Sequence, residues 1–563
     1  MNMTNNQTNN DTTAQISSDT YSGQAIYLYS SKVDEKTNIQ TACETLVASN
    51  AFTFALDSEG KIYFKDGNTL RCSLLEIESD LNGQGMRVAG HDEFFNTNPG
   101  DSAKYSFLRS LDLFLSSKKL FNDDFGFPVS SARIFMRPMA LRFSDDEEYV
   151  MIIPHIRLYM GGLVTLSLLP ISGFEDAPVD EVVRKEANKA HRNIESILCE
   201  LPLITACLEY QVSRLNLKER LAQVKYIKNK FNSSSSATQE INFIDEKLQT
   251  HELLEIDRFC LSDLARNLLS MIGRSLATGK VHNKIDWLFA PQTKDPIGNY
   301  WHGKPIIFIK NHTRQKVTAT ENAQAHKTLI KSIMARSVLN ENTGYLGKAP
   351  ADMRKFDDFN HYHSSAISLM LTSSQLENQL DAHESYTFDN LISDIQVLNE
   401  GSHYINSFYK FESIELDKCT SSIDVARTEI KILKLEESLL SAHKFGEIAE
   451  FYKAVKNEDH LSTIYITLTK KIESLRKSLE LDEKIASEQN TSRISIIFGI
   501  IASATLSPEL IKPLAKQYNF TFGENLDSII GIATSFIVVI IILKTSSYVV
   551  RSAKKIKNML KLR

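Results

Sequence analysis

The chain has only two tryptophans and six cysteines in 563 residues. Cys43, Cys72, Cys199, Cys207, Cys260 and Cys419 form no CxxC pair and show no metal-ligand spacing, so they read as reduced core residues. Also missing are GxxxxGK[ST], GxGxxG after a strand, HExxH and GxSxG. Without them no phosphate loop, dinucleotide site, zincin helix or nucleophile elbow anchors catalysis, and an enzyme is not expected. Charge of one sign is lacking too: 64 basic against 69 acidic residues leave a formal charge of -5. That balance exerts no global pull on nucleic acid, and no nucleic-acid partner is expected. Residues 1–23, rich in Asn, Thr, Ser and Gln, contain no apolar run. This argues against a cleaved signal peptide and for a disordered tail.

What is present has a clear order. From residue 24 to 170, short runs of strand length and β-rich composition recur: Ala25–Tyr29, Phe52–Leu56, Lys61–Phe64, Ala132–Met136, Tyr149–Ile153 and Leu163–Leu168. Helical stretches near Thr37–Ser49 and Ser102–Ser117 interrupt them, which predicts an α/β or α+β domain. Residues 171–365 read as a helical and mixed extension with one clear strand, Pro305–Ile309, and residues 366–492 as a helical stalk. Within the stalk, Leu468, Ile472, Leu475 and Leu479 follow a 4-3-4 spacing that continues to Asp482 or Glu483 and Ala486. This seam suits either a buried stripe or an intersubunit coiled coil.

Residues 493–550 read as two transmembrane helices. Ser528–Leu543 is uncharged, and its apolar character extends to Val550, long enough to span ~30 Å of hydrocarbon. Ile494–Pro508 is shorter, at 15 residues. An outer loop of residues 509–527 connects them. The tail, 551–563, carries Arg551, Lys554, Lys555 and Lys557 and no acid, so the positive-inside rule predicts cytoplasmic N- and C-termini for a multi-pass protein of the cell (inner or plasma) membrane. Ser495, Gly499, Ser503 and Ser507 fall on one small-residue helix face, suited to lining a narrow pore or to close helix packing.

This order of features resembles the CorA-like family of divalent-cation channels and transporters, in which a cytoplasmic α/β domain, a long stalk helix, two spans and a basic tail succeed one another. The carrying residues are Ile494–Ser507, Pro508-Glu509-Leu510, Ser528–Leu543 and Lys554-Lys555-Ile556-Lys557. The family's Gly-Met-Asn is absent, and the equivalent stretch runs from Gly499 to Leu510. The resemblance implies a homo-oligomer, pentameric as in the family, in the lipid bilayer. It also implies Mg2+ or another divalent cation as transported or regulatory ion, no covalently bound cofactor, and Glu509, Glu524 and Asp527 attracting the cation. A membrane-anchored sensor or effector in stress or phage defence, with no selective transport, is the alternative. Two acidic groups complete the inventory. Asp357, Asp358, His361 and His363 would hold a transition metal if extended, because alternate side chains share a face, although a solvated capping loop accounts for the same residues. The Phe143–Glu148 run would attract a regulatory cation, as cytoplasmic acidic sites do in the family that the chain resembles, or form a turn between two strands, which explains it better.

Overall fold

A computed structural model describes residues 19–517 except 34–36, 80–85, 122–126, 233–237, 254–257, 280–302, 340–349, 355–356, 383–385, 442–445 and 459, together with Ala533 and Ile537. Contacts divide the chain into two units, Met1–Asp417 with Ile430–Leu468, and Lys418–Glu429 with Thr469–Arg563.

The first unit is organised by a 15-stranded sheet. Its strands are β1 (Thr20–Lys32), β2 (Phe52–Asp57), β3 (Lys61–Asp66), β4 (Thr69–Leu74), β7 (Ser131–Met136), β8 (Met139–Phe143), β9 (Val150–Tyr159), β10 (Leu163–Pro170), β11 (Phe174–Pro178), β12 (Ile194–Cys199), β13 (Thr238–Phe243), β14 (Glu246–Leu253), β15 (Lys304–His312), β16 (Phe359–His363) and β17 (Ser368–Thr372). A separate hairpin joins β5 (Glu76–Ser79) and β6 (Met86–Ala89). The long path runs β13-β14-β12-β8-β9-β10-β1-β15-β17-β16, and among these pairs only β15 with β17 is parallel. At Arg137–Pro138 the sheet forks. β7 and β8 both pair with β9, but β7 bonds β2 on its other side whereas β8 bonds β12. Pro138 has no N–H to give to a ladder, which suits it to the break.

Strands such as β7, β8, β10 and β17 are covered on both faces and are apolar almost continuously, whereas β4 and β13 are largely exposed. Tyr27, Tyr29, Ile134, Ile156, Leu166 and Ile307 share one core with Leu46 of helix Ile39–Val47, Leu208 of helix Leu201–Ser213 and Leu268 of helix Leu261–Thr278. Their strand neighbours point the other way. Ile26, Leu28, Ile306 and Phe308 meet Leu391, Ile392 and Ile395 of helix Phe388–Leu416, while Phe54, Phe135 and Ile153 meet Phe107 and Phe114 of helix Asp101–Leu120. Period-2 strands thus place two different residue sets on two helical layers. Strands expected from the first 170 residues form where predicted. The sheet also draws in β11 to β17 from the extension beyond residue 170 that reads as helical and mixed.

The expectation of two transmembrane helices is not met: among the described residues no helix is long and apolar enough to cross a membrane. Helix Leu461–Gln517 carries the first expected span and continues through Pro508 and Glu509, so no loop begins there. Its apolar stretch lies between Arg493 and Glu509, short of the ~20 residues a crossing takes. Ser528–Val550 falls outside the described residues, as do Glu524, Asp527, Arg551, Lys554, Lys555 and Lys557. The predicted fold class, in which an α+β domain is followed by two spans, is therefore corrected to a helix-covered mixed sheet and a long helix. The multi-pass membrane localisation, the transmembrane and ion-channel assignment, and its membrane-anchored alternative fall with it. Within the seam, Leu468 and Ile472 are buried, Leu475 and Leu479 half-buried, and Asp482, Glu483 and Ala486 exposed. In the second unit Glu429 pairs with Arg476, and Glu483 accepts from the Ser422 amide and hydroxyl at 3.0 Å.

Gly401 measures how tightly helix Phe388–Leu416 is packed. A Cβ there would lie 2.1 Å from the Tyr452 hydroxyl oxygen and 3.0 Å from the Phe127 ring. Gly401→Ala gains up to ~1 kcal/mol of helix propensity, but overpacking costs about 1–3 kcal/mol. Urea unfolding should therefore show net destabilisation; a stabilised variant would mean that the helix is free to move.

Candidate functional site

Two polar constellations stand out in the first unit, one inside it and one open to solvent. The inner one lies under helix Phe388–Leu416, where Ser393, Gln396, Glu400, His403 and Ser407 recur at 3-4-3-4 spacing and are all buried. Such spacing puts them on one helix face. Opposite them the sheet presents Ser30, Lys32, Arg133, His155 and Arg157, also buried or nearly so. Arg133 donates to both Glu400 oxygens, at 3.0 and 2.6 Å, and Arg157 donates to one of them at 3.4 Å. Lys32 pairs with Glu412 at 2.8 Å, and the Ser30 and Ser407 hydroxyls meet at 2.7 Å. Arg109, from helix Asp101–Leu120, donates to Ser393 Oγ at 2.6 Å and Gln396 Oε1 at 2.7 Å.

These partners fix protonation. Since Gln396 Oε1 is taken by Arg109, its Nε2 is the donor toward Glu400 (2.8 Å) and toward His155 Nε2 (3.3 Å). His155 must accept there, so it is neutral with its proton on Nδ1. Burial pushes the His155 imidazole down to about 3. Burial would raise the Glu400 carboxyl, but Arg133 and Arg157 prevail and hold it at about 2. Glu400→Ala leaves two guanidinium groups sharing no carboxylate in the core, and denaturant unfolding should show a loss of about 3–5 kcal/mol. A loss under 1 kcal/mol would mean that the helix is held by its apolar contacts alone.

The predicted metal group is brought only partly together. β16 is extended and places His361 and His363 on one face, with ring centroids 5.2 and 5.8 Å from that of Phe451. Their nitrogens are engaged otherwise. Asn399 Nδ2 donates to the Ile395 carbonyl, so its Oδ1 accepts from His363 Nδ1 at 3.2 Å. His363 Nε2 then accepts from the buried Lys304 ammonium at 3.0 Å, a cation where a metal would have to sit. His361 Nε2 is 3.2 Å from Ser368 Oγ. Asp357 is exposed, accepting from Thr320 and pairing with Arg354, and Asp358 accepts from the Phe359 amide. Among the described residues no three His, Cys, Asp or Glu side chains converge on a possible metal site. Of the pore candidates, Ser495 is exposed and Gly499 half-buried on helix Leu461–Gln517, the same helix that carries Ser503 and Ser507.

The open constellation is a cleft of about 590 Å³ where the β8–β9 turn, the β10–β11 turn and the segment Val179–His191 meet. The Ser144–Glu148 run cannot be buried, and it forms the turn, with the Asp146 amide donating to the Phe143 carbonyl at 3.0 Å. Residues Val182–Ala187 form a π-helical turn, a feature frequent at functional sites, and Asp176 beside them has a left-handed φ of 44°. Seven carboxylates and three cations line the cleft. Arg192 pairs with Asp145 and Asp146, Lys185 with Asp146 and Glu181, and the buried Lys189 with Glu186 at 2.9 Å. The Tyr27 hydroxyl donates to that same Glu186 at 3.0 Å, tying the cleft floor to β1. Glu147, Glu148 and Glu175 have no ion-pair partner among the described residues, and the half-buried Tyr149 and Phe174 flank them. Sequence reading weighed the turn acids but missed Glu175, Glu181 and Lys189, whose convergence depends on β11 folding back along β1.

No family model, curated protein or solved structure matches the chain. The fold and these two constellations are therefore what functional inference rests on.

Buried neutral imidazoles make stability depend on pH. His155 and His361 stand at about 3 and His312 at about 4, each lowered first by burial. A folded-state pKa below the unfolded value of ~6.5 means stability that is present at neutral pH and lost as pH falls from 6.5 toward 3–4, by about 1.4 kcal/mol per unit per group. The unfolding midpoint should already drop between pH 6.5 and 5, ahead of carboxylate titration. A flat midpoint across that window would show these imidazoles to be hydrated in the folded state.

Proposed function

We propose that the protein binds a small organic cation carrying two or more amine or guanidinium groups, in the cleft between the β8–β9 turn and the π-helical turn. The observation that carries this reading is the charge distribution. The three cations of the cleft are each neutralised by carboxylates of its own wall, while the exposed Glu147, Glu148 and Glu175 have no ion-pair partner among the described residues. A volume of about 590 Å³ lies in the usual range for small-molecule sites. Because no three carboxylates converge as metal ligands among the described residues, the acids suit an extended polycation better than a point charge. The flanking Phe174 adds a ring face against which an ammonium group gains further, while the Tyr149 ring already carries Arg142 at 5.4 Å. The reading is one of recognition, with no chemical step assigned to the cleft.

Exposed ion pairs contribute ~0.2–1 kcal/mol each, so three together amount to about tenfold in affinity, and they weaken with salt. Calorimetric titration of the full chain with putrescine and spermidine at low ionic strength tests this. Spermidine should bind more tightly than putrescine, and the triple variant Glu147→Gln, Glu148→Gln, Glu175→Gln should lose about tenfold or more while keeping its unfolding midpoint. Absence of binding by either amine, or a triple variant that binds as the parent does, would overturn the assignment.

A further inference from the structure

A second cavity, independent of the cleft, lies beside the Arg133–Glu400 pair. It measures about 20 Å³ and is lined by Leu56, Asp57, Ser58, Phe114, Ser117, Ser131, Arg133 and Arg157. That is room for one water-sized particle, since a water takes ~10–15 Å³ on this scale, and it excludes phosphate or sulfate.

Its wall is rich in donors. Arg157, clamped between the Phe127 and Tyr159 rings at 5.4 and 5.0 Å, spends three of its five N–H groups on Ser131 Oγ, Glu400 and Ser117 Oγ, at 3.1, 3.4 and 3.5 Å. Its other two find no acceptor among the described residues. Ser131 Oγ and Ser117 Oγ both serve as acceptors, Ser117 also for the Phe127 amide at 3.1 Å, and their own hydroxyl hydrogens find no acceptor among the described residues. Charge points the same way, because two guanidinium groups share the single Glu400 carboxylate. Glu400 lies behind the two arginines, and the carboxylate that lines the cavity itself, Asp57, directs both its oxygens to other donors. Its Oδ1 accepts from the Glu59 and Lys61 amides, and its Oδ2 accepts from the Tyr63 hydroxyl. A water accepts two hydrogen bonds, whereas a monatomic anion accepts four or more and supplies the countercharge.

We propose that this cavity is a buried site for one monovalent monatomic anion of the chloride class, coordinated by Arg157, Ser117 and Ser131, and that its occupancy neutralises the guanidinium pair beneath helix Phe388–Leu416. A ligand that binds only the folded state raises stability by mass action.

Full-length protein dialysed into sodium gluconate and titrated with chloride, bromide or sulfate at constant ionic strength provides the test, because screening is then the same in every arm. Chloride and bromide should raise the unfolding midpoint saturably and sulfate should not, and crystals grown in bromide should show an anomalous peak between Arg157, Ser117 and Ser131. Ser131→Ala should lower the midpoint in gluconate, since it takes the acceptor from Arg157 Nε–H, and should in addition weaken the apparent chloride affinity at least tenfold. Should Ser131→Ala fail to fold, Ser117→Ala and the bromide map carry the same decision. Equal midpoints in all anions, or a bromide map with a water in the cavity, would overturn the proposal, as would alanine variants that keep the parent's chloride dependence.

Discussion

The pairing of Glu400 with Arg133 is the constraint on which the inner half of the molecule depends. Both side chains are almost wholly buried, so neither can find water if they separate. A buried pair of this kind adds little net stability over an apolar replacement, because desolvation offsets most of the attraction, but breaking it is costly. Its effect is on register. Helix Phe388–Leu416 cannot slide by a turn along the sheet without withdrawing Glu400 from Arg133, Gln396 from Arg109 and Glu412 from Lys32 together. Gly401, the residue after Glu400, lets the helix approach Tyr452 and Phe127 closely enough for that pair to form.

The same residue types behave in opposite ways in the cleft because the solvent differs. At an effective dielectric near 80, charges 4 Å apart interact by ~1 kcal/mol, while partly buried pairs gain several times more. Glu147, Glu148 and Glu175 can therefore stand without partners at the opening, whereas Glu400 needs two guanidinium groups and an amide around it. Unpaired acids at a surface leave attraction for a ligand, and fully paired acids in a core leave none. The cleft floor is intermediate, with Lys189 and Glu186 buried but paired, which gives its exposed wall a fixed backing.

Much of the sheet was legible in the sequence because period-2 and β-branched runs such as Ala132–Met136 and Leu163–Leu168 report local preference directly. What lay hidden was non-local. The β13–β14 hairpin sits in a charged stretch, Thr238–Leu253, whose composition suits a helix, and it becomes a strand pair only because β12 offers it an edge. His361 and His363 share a face as their spacing implies, yet the lysine that occupies one of them comes from β15, 59 residues away. The polar stripe from Ser393 to Ser407 was visible in principle, since an uncharged-flanked Glu at heptad spacing among Ser, Gln and His is a poor solvent face and a poor apolar one. The apolar run of Ile494–Pro508 misled by composition: it has membrane character over too few residues, within a helix that continues through the charges at either end.

One pair of strands links the two constellations. β9 begins at Val150, beside the cleft turn, and carries His155 and Arg157 to the inner network a few residues later. β8 and β7 run antiparallel to β9 along one of its edges, from Phe143, just before the cleft turn, back to Arg133. Because side chains alternate, a slip of one residue in this pairing would turn Arg133, His155 and Arg157 away from helix Phe388–Leu416 and into the core that holds Ile134 and Ile156. It would also displace the Asp145 and Asp146 carboxylates from Arg192. The buried ion pairs and the surface acids are therefore held in place by one register, and the fork at Pro138 lets a single edge of β9 serve both.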